Sequence, residues 1–206
     1  MTVAIALLAM EVILLAALVP ADWSDHVRAQ EDQWLQARLG VATAERVLTT
    51  AGAWYGTLFI DTGLVPGSYA LLLPDAASVR TTPELGRLAA SPLWPWVEDR
   101  LDGIWQALHR AMQRLVLVLA WWPFLAFALA GAIAEGLLRR RIRQTGFDYP
   151  SPFAHRLAVR GLRGIAVAVA AGLLVPLPLS PLAVPVLGTL LGLTVAAMVT
   201  QTQKRL

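Results

Sequence analysis

LVLVLAWWPFLAFALAGAIAEGLL, at residues 115–138, is the stretch that decides the fold. Its only charged residue is Glu135, close to its end. A helix rises about 1.5 Å per residue, so about 20 apolar residues cross the hydrocarbon core of a bilayer. The stretch therefore predicts a transmembrane helix. The whole chain agrees, because 57% of its residues are hydrophobic and only 15% are charged, against about 25% charged in typical soluble domains.

Three further apolar stretches lie outward from this one, at residues 1–20, 162–177 and 182–200. Prolines cluster between the last two stretches, which predicts a tight turn and hence a transmembrane hairpin. A re-entrant pair is the alternative for this hairpin. The first stretch resembles either a retained anchor or a cleaved signal peptide. Retention is favoured because no positive residue precedes it and Glu11 interrupts it.

Charge sets the predicted orientation. Arginines are concentrated in residues 139–163, and short Arg-rich segments stay in the cytoplasm. The expected fold is therefore an all-α, polytopic membrane protein of the bacterial inner membrane, with about four transmembrane helices and both termini in the cytoplasm. The predicted organisation is a first transmembrane helix (1–20), a periplasmic helical segment (21–114), a second transmembrane helix (115–138), a cytoplasmic Arg-rich loop (139–161), and a transmembrane hairpin with a short cytoplasmic tail (162–206).

The periplasmic segment carries two heptad patterns. One has apolar residues at seven-residue intervals, Val27, Trp34, Val41, Leu48 and Tyr55. The other advances in steps of four and three through Val97, Leu101, Ile104, Leu108, Ala111, Leu115 and Val118. Such patterns are typical of coiled-coil seams, so we expect an antiparallel helical hairpin.

Details of this segment follow from single residues. Ser24 can cap the first helix. The second helix meets no breaker before Pro123, so it is expected to continue straight into the membrane helix. Residues 61–92 are rich in Gly, Pro, Ser and Thr and should be irregular, apart from a short helix at residues 83–90.

No catalytic site is predicted. The chain has no cysteine, which excludes disulfides, thiol catalysis and Cys-ligated zinc. His26, His109 and His155 show no metal-ligand spacing and are interpreted as unrelated surface residues. Phosphate loops, serine nucleophile elbows and zincin motifs are absent from the sequence. We expect neither enzymatic activity nor a cofactor nor a metal.

Two acidic residues within apolar stretches are candidates for helix assembly. Glu11 would cost about 2.5–3.5 kcal/mol in mid-bilayer, which suggests either a carboxyl bonded to a neighbouring helix or an ion relay. Glu135 stands four residues before Arg139, a spacing that suits an ion pair on one helix face.

The Arg-rich loop has three interpretations. It can act as a topology signal alone, contact anionic lipid headgroups, or dock an acidic partner. Direct binding of nucleic acid is not expected, because few aromatic residues interleave with the arginines. The candidate partner or lipid contacts are Arg139, Arg140, Arg141, Arg143, His155, Arg156 and Arg160.

Two motifs carry a resemblance to a known family. Residues 135–143 read EGLLRRRIR and residues 151–156 read SPFAHR, followed by the apolar hairpin. This arrangement resembles the DUF4400 family of membrane proteins carried by integrating conjugative elements and conjugative plasmids. The resemblance covers most of the chain. It implies association with a type IV secretion apparatus, with the membrane-anchored coupling ATPase as the first partner to test, and it implies no enzymatic activity.

Two functions are therefore predicted as alternatives. The first is an accessory or structural membrane subunit of conjugative DNA transfer, which acts by protein–protein assembly through the outer hairpin and the Arg-rich loop. Assembly with a second copy of the chain and assembly with another subunit both remain open. The second is a small transporter or channel component that uses Glu11 within the membrane.

Overall fold

The computed structural model describes residue 10 and residues 21–73, 92–145 and 151–201. Its regular elements in these ranges are all helices, so the all-α prediction is confirmed for the described residues. The helices are α1 (Ala21–Leu39), α2 (Val41–Tyr55), α3 (Leu64–Leu72), α4 (Leu93–Ala120), α5 (Trp122–Thr145), α6 (Pro152–Leu174) and α7 (Ala183–Thr200). A π-helical turn over Gly56–Ile60 extends α2.

The chain divides into two compact units. The first contains the described residues up to Val116 together with Leu173–Leu179, the segment that follows α6. The second contains Leu117–Gly172 and the residues from Ser180 onward. We call the first the polar unit and the second the apolar unit, because ionisable side chains are buried in the first and apolar side chains are exposed in the second.

Gly40 interrupts the helix that the first heptad pattern predicted. Its φ is 80°, a conformation that glycine adopts easily and other residues rarely do. Val41, which the pattern placed in the seam, is 60% exposed. Trp34 and Leu48 are half-buried. The prediction of one continuous seam is wrong here, because the chain changes direction between α1 and α2. The buried apolar residues of these two helices are Val27, Leu35, Ala44, Val47, Ala51 and Tyr55.

The α4 helix buries a different stripe from the predicted one. Leu101 is buried as expected, whereas Ile104 and Leu108 are half-buried. The fully buried positions that recur in steps of four and three are Gly103, Ala107, Arg110, Arg114 and Leu117. Two of these are arginines, which a coiled-coil seam does not normally bury. The predicted coiled-coil hairpin is therefore not confirmed.

Aromatic contacts show how α2 and its π-helical extension pass along α4. Tyr55 stacks on His109 with ring centroids 4.7 Å apart. One turn after Tyr55, in the π-helical extension, the ring centroid of Phe59 lies 5.9 Å from that of Trp105, which is one turn before His109 on α4. The two segments therefore run antiparallel, although the surface between them is aromatic rather than a repeating seam.

Two smaller predictions for the polar unit are wrong. Residues 61–92 were expected to be irregular, but α3 occupies Leu64–Leu72. Gly63, with φ 78°, ends the preceding helical turn and allows this new helix to start. Ser24 lies inside α1 rather than at its cap, and it is buried. The short helix expected at residues 83–90 lies outside the described residues.

Three helices in the described ranges are long and apolar enough to cross a membrane. They are Trp122–Arg143 in α5, Phe153–Leu174 in α6 and Ala183–Thr200 in α7. The fourth predicted span, at residues 1–20, lies outside the described residues apart from Met10, so the count of four is not confirmed. The third span was expected to begin at residue 162, but α6 begins at Pro152. The segment 139–161 is consequently helical at both ends.

The helix expected to run straight through Pro123 is broken just before it. Trp121 forms a turn between the end of α4 and the start of α5. Pro123 lacks the N–H that would bond to the carbonyl of Leu119, and its ring crowds that carbonyl. Proline is instead well suited to the first turn of a new helix. The second apolar stretch is therefore shared between two helices.

Glycines set the packing within the apolar unit. A Cβ added at Gly136 would stand 2.9 Å from Cβ of Val199, and one at Gly192 would stand 3.6 Å from Cβ of Ala132. The later position on α5 thus meets the later position on α7, so the two helices run parallel. Small residues allow such close approach between apolar helices.

The α6 helix runs in the opposite direction to α7. Gly161 lies against Thr194, and the backbone N–H of Ser151 donates to Oε1 of Gln201 at 2.9 Å. The end of α5, the start of α6 and the end of α7 therefore lie at one end of the apolar unit.

Candidate functional site

The polar unit is built around a buried ion pair. Nη2 of Arg114, on α4, lies 2.6 Å from Oε1 of Glu31, on α1. The two side chains are 9% and 12% exposed. Removing two charges from water is costly, and the cost is offset only when further hydrogen bonds satisfy the remaining donors and acceptors. The surroundings of Arg114 supply such bonds.

Arg114 also holds the segment Leu173–Leu179. Its Nη1 donates to the carbonyl of Val175 at 2.8 Å, and its Nη2 donates to the carbonyl of Leu177 at 2.7 Å. The same carboxylate oxygen of Glu31 accepts the backbone N–H of Leu179 at 2.8 Å. Arg114 therefore binds backbone carbonyls of this segment, and Glu31 binds one of its backbone N–H groups.

A third side chain completes the contact. Nε1 of Trp23 donates to the carbonyl of Pro176 at 2.8 Å. We call Trp23, Glu31 and Arg114, with the segment they bind, the arginine latch. The latch joins α1 and α4 to the connection between α6 and α7. The sequence analysis did not identify these residues, and the one signal available was an arginine immediately before a long apolar run.

Beside the latch lies a cavity of about 340 Å³ within the polar unit. It is enclosed by one face of α4 and by residues of α1, α2 and α3. The residues that line it are Ser24, Arg28, Tyr55, Val65, Tyr69, Asp102, Trp105, Gln106, His109, Arg110 and Gln113. Ligand pockets are usually concave, largely apolar, and contain a few convergent polar groups. This cavity has aromatic walls with polar groups at both ends.

The acidic end of the cavity is closed by internal hydrogen bonds. The hydroxyl of Tyr69 donates to Oδ1 of Asp102, and Nε1 of Trp105 donates to Oγ of Ser68 at 3.0 Å. Burial, and then the bond to Asp102, raise the pKa of Tyr69, so the phenol keeps its proton. The carboxylate of Asp102 therefore already has a partner.

The basic end is formed by Arg110, Arg28 and His109. Arg110 is only 4% exposed and donates to the carbonyl of Ser24 at 3.5 Å and to its Oγ at 3.1 Å. Burial lowers the pKa of His109, and the charge of Arg28 lowers it further. The His109 ring is consequently neutral at neutral pH. The expectation that the three histidines are surface residues is wrong for His109, which is half-buried against Tyr55.

The predicted partner contacts lie at helix ends of the apolar unit. Arg139, Arg140, Arg141 and Arg143 occupy the last turns of α5, and His155, Arg156 and Arg160 occupy the first turns of α6. We call these two groups the arginine-bearing helix ends. Most of their arginines are exposed, and apolar Ile142 and Phe153 are exposed among them at 69% each.

The predicted assembly residues are dispersed rather than gathered in one site. Glu135 forms the expected ion pair with Arg139 at 2.5 Å, and both side chains are exposed. Trp34, Leu48, Ile104 and Leu108 are half-buried in the polar unit. Glu11 lies outside the described residues, so the transporter alternative remains a prediction. Within the described ranges, no group of three or more His, Asp and Glu residues could hold a metal ion.

These features define a class, a helical protein whose three apolar helices are compatible with a membrane location and whose polar unit is closed around buried arginines. In a comparison with protein families, residues 4–204 match the family described as IncC plasmid conjugative DNA transfer protein DtrJ-like. Since the match covers nearly the whole chain, the chain belongs to the DtrJ-like family. The conjugation-related resemblance is confirmed, whereas the match does not support the DUF4400 label itself. Searches of curated proteins and of solved structures found no match.

Proposed function

We propose that the chain is an accessory inner-membrane subunit of a conjugative DNA transfer apparatus of the type IV secretion kind, and that it acts by protein–protein assembly without catalysis. Membership of the DtrJ-like family is the observation that links the chain to conjugative DNA transfer. Three apolar helices support a membrane role. The exposed arginines at one end of the apolar unit support an assembly role.

The arginine latch supports the predicted topology. The connection between α6 and α7 contacts α1 and α4, so it lies on the same side of the membrane as the helical segment from Ala21. If α5, α6 and α7 each cross the bilayer, the arginine-bearing helix ends lie on the opposite side. Positive charge in short segments is retained in the cytoplasm. The polar unit is then periplasmic, and the first predicted span places the N-terminus in the cytoplasm.

The proposed docking surface is formed by the arginine-bearing helix ends. Their guanidinium groups suit the planar, two-point recognition of carboxylates. The exposed Ile142 and Phe153 add apolar contact area of the kind found at interface cores. An acidic cytoplasmic surface of the membrane-anchored coupling ATPase is the partner that we would test first. Anionic lipid headgroups are the competing ligand for the same charges.

Site-specific photo-crosslinking in conjugating cells tests this proposal. A crosslinker at Arg140 or Arg156 should capture the coupling ATPase, identified by its own antibody. A crosslinker at Phe127, which is 82% exposed on α5, should capture lipid or no transfer protein. Failure to recover any transfer component from either arginine position would overturn the docking proposal.

Transfer frequency supplies the second readout. Replacing Arg139, Arg140, Arg141 and Arg143 together by Gln should lower transfer by about a hundredfold, since several charge-assisted contacts are lost. The matched control replaces Arg38 and Arg46, arginines of the polar unit, by Gln and should leave transfer within a fewfold of the wild type. A fusion reporter at the C-terminus must show unchanged orientation, because loss of positive charge can itself invert topology.

A further inference from the structure

Arg110 is a buried cation without a carboxylate partner. Its side chain donates only to the carbonyl and hydroxyl of Ser24, and no carboxylate oxygen of the described residues lies within 4.0 Å of it. The charges of Glu31 and Asp25 do reach Arg110, but Glu31 is already bound by Arg114 and by the backbone of Leu179, and Asp25 forms no ion pair with Arg110. Buried charges are normally paired with an opposite charge. Arg110 therefore has no directly bonded counterion, although it is buried.

The same guanidinium lines the cavity. Arg28 and His109 line the same end, and Gln113 adds a neutral polar group one turn further along α4. Arg114, close by, contributes another positive charge, which lowers the pKa of Arg110 beyond the effect of burial. The charges that act on Arg110 are those of Arg114 and Arg28, which are positive, and those of Glu31 and Asp25, which are negative. None of these carboxylates bonds to Arg110 directly, so its guanidinium remains open to an anion in the cavity.

The rest of the cavity limits what the anion can be. The aromatic residues Tyr55 and Trp105 line the same cavity as Arg110. The acidic end is closed, because Asp102 accepts a hydrogen bond from Tyr69. A volume of about 340 Å³ lies at the lower limit of ordinary ligand pockets, about 300–1,000 Å³. It admits a small molecule rather than a folded partner.

We propose that this cavity binds a small organic oxyanion, a carboxylate or a phosphate carried on an apolar or aromatic body. Arg110 holds the oxyanion through its forked N–H donors, the geometry by which arginine recognises both groups. Arg28 adds longer-range attraction, and Tyr55 and Trp105 contact the apolar body. This site is independent of the arginine-bearing helix ends, so a failure of the docking proposal would leave it intact.

Calorimetric titration of the purified full chain in nanodiscs tests the site. The probes are benzoate and phenyl phosphate, with benzyl alcohol as the neutral analogue and inorganic phosphate as the anion without a body. Binding of benzoate or phenyl phosphate at millimolar concentration, with benzyl alcohol and inorganic phosphate weaker by about tenfold, is the expected result. The aromatic anion that binds more tightly shows whether the site prefers a carboxylate or a phosphate. If neither binds, the proposal is wrong.

Substitutions test whether Arg110 contacts the ligand or has only a structural role. Arg110→Gln should weaken the better probe by about tenfold or more, while the unliganded chain unfolds at the wild-type temperature or above, because an unpaired buried charge has been removed. Arg46→Gln, at an exposed arginine outside the cavity, should leave the affinity within about twofold. Equal binding by Arg110→Gln and wild type would contradict the proposal.

A second variant serves if Arg110→Gln does not fold. Arg28 is exposed at the rim of the cavity, so its replacement carries little risk to folding. Arg28→Gln should weaken the better probe by a fewfold, and the difference from wild type should shrink in high salt. An affinity identical to the wild type in low salt would count against the site.

Discussion

The polar and apolar units differ in what they bury beside their apolar contacts and in what they expose. In the polar unit, Arg110, Arg114 and Gln113 are at most 8% exposed. In the apolar unit, Phe127 is 82% exposed and Leu193 is 64% exposed, although both are strongly apolar. A soluble domain rarely exposes such large apolar area without a partner. The difference supports the proposal that lipid surrounds the apolar unit.

The source of cohesion differs in the same way. Besides its buried apolar residues, the polar unit contains hydrogen bonds and an ion pair between residues far apart in the sequence, and losing one partner of the ion pair leaves a buried charge. The apolar unit depends on small residues that let helices approach, because lipid tails supply no hydrophobic driving force between helices. Substitutions that remove a buried charged contact and substitutions that disturb close helix packing should therefore lower stability by different amounts.

The largest effect is expected from Arg114→Met. The substitution leaves Glu31 charged and buried and frees the carbonyls of Val175 and Leu177. Breaking a buried pair by removing one partner costs about 3–5 kcal/mol. Denaturant titration of the full chain in detergent should report this loss. Arg46→Met, at an exposed arginine, is the control and should stay within about 0.5 kcal/mol of the wild type. Equal stability of the two variants would contradict the latch.

A smaller effect is expected within the apolar unit from Gly136→Ala. The new Cβ would stand 2.9 Å from Cβ of Val199 and 3.0 Å from the backbone oxygen of Ala196. Neither atom can move freely, and overpacking of this kind costs about 1–3 kcal/mol. Gly131→Ala is the matched control, since nothing lies within 4 Å of its Cβ. If thermal unfolding in nanodiscs does not separate the two variants, close packing of α5 on α7 is refuted.

A still smaller effect is expected from Trp23→Phe. This change retains the aromatic body but removes the N–H that donates to the carbonyl of Pro176. A neutral hydrogen bond contributes about 0.5–1.5 kcal/mol net, so stability should fall by that amount in the same titration. Trp54→Phe, at an exposed tryptophan of α2, provides the comparison and should have no measurable effect.

The smallest effect is expected from Glu135→Gln. Glu135 and Arg139 form an ion pair like that of the latch, but their side chains are 54% and 66% exposed. Exposed pairs at this helical spacing contribute about 0.3–0.5 kcal/mol. A loss as large as that of Arg114→Met would mean that burial does not govern the strength of these pairs.

Local sequence patterns predicted that the apolar unit contains three apolar helices, but not where two of them begin. Length and apolarity predict a span without knowledge of its neighbours, and two of the three candidate spans fall where the apolar stretches lie. The start of α6 was missed because Arg156 and Arg160 make its first turns polar. The break at Trp121 was missed because the apolar pattern continues through Pro123 without interruption, whereas Pro123 stands in the first turn of a new helix.

The latch and the cavity could not be predicted in this way. Arg114 finds its acceptors in Glu31 and in Leu173–Leu179, and no periodic pattern relates such distant segments. Arg110 and Arg114 stand four residues apart on α4, a spacing that fits a solvated face as well as a buried stripe. The first heptad pattern runs across Gly40 without interruption, so it gave no sign that the chain changes direction between α1 and α2.

We propose that the polar unit and the segment after α6 lie on one side of the membrane, and the arginine-bearing helix ends on the other. The chain has no cysteine, so single-cysteine variants at Gln36, Leu177 and Thr145 can be labelled with an impermeant maleimide in spheroplasts. We predict labelling of Gln36→Cys and Leu177→Cys in intact spheroplasts and of Thr145→Cys only after lysis. Labelling of Thr145→Cys in intact spheroplasts, or of Gln36→Cys and Leu177→Cys from opposite sides, would contradict the account.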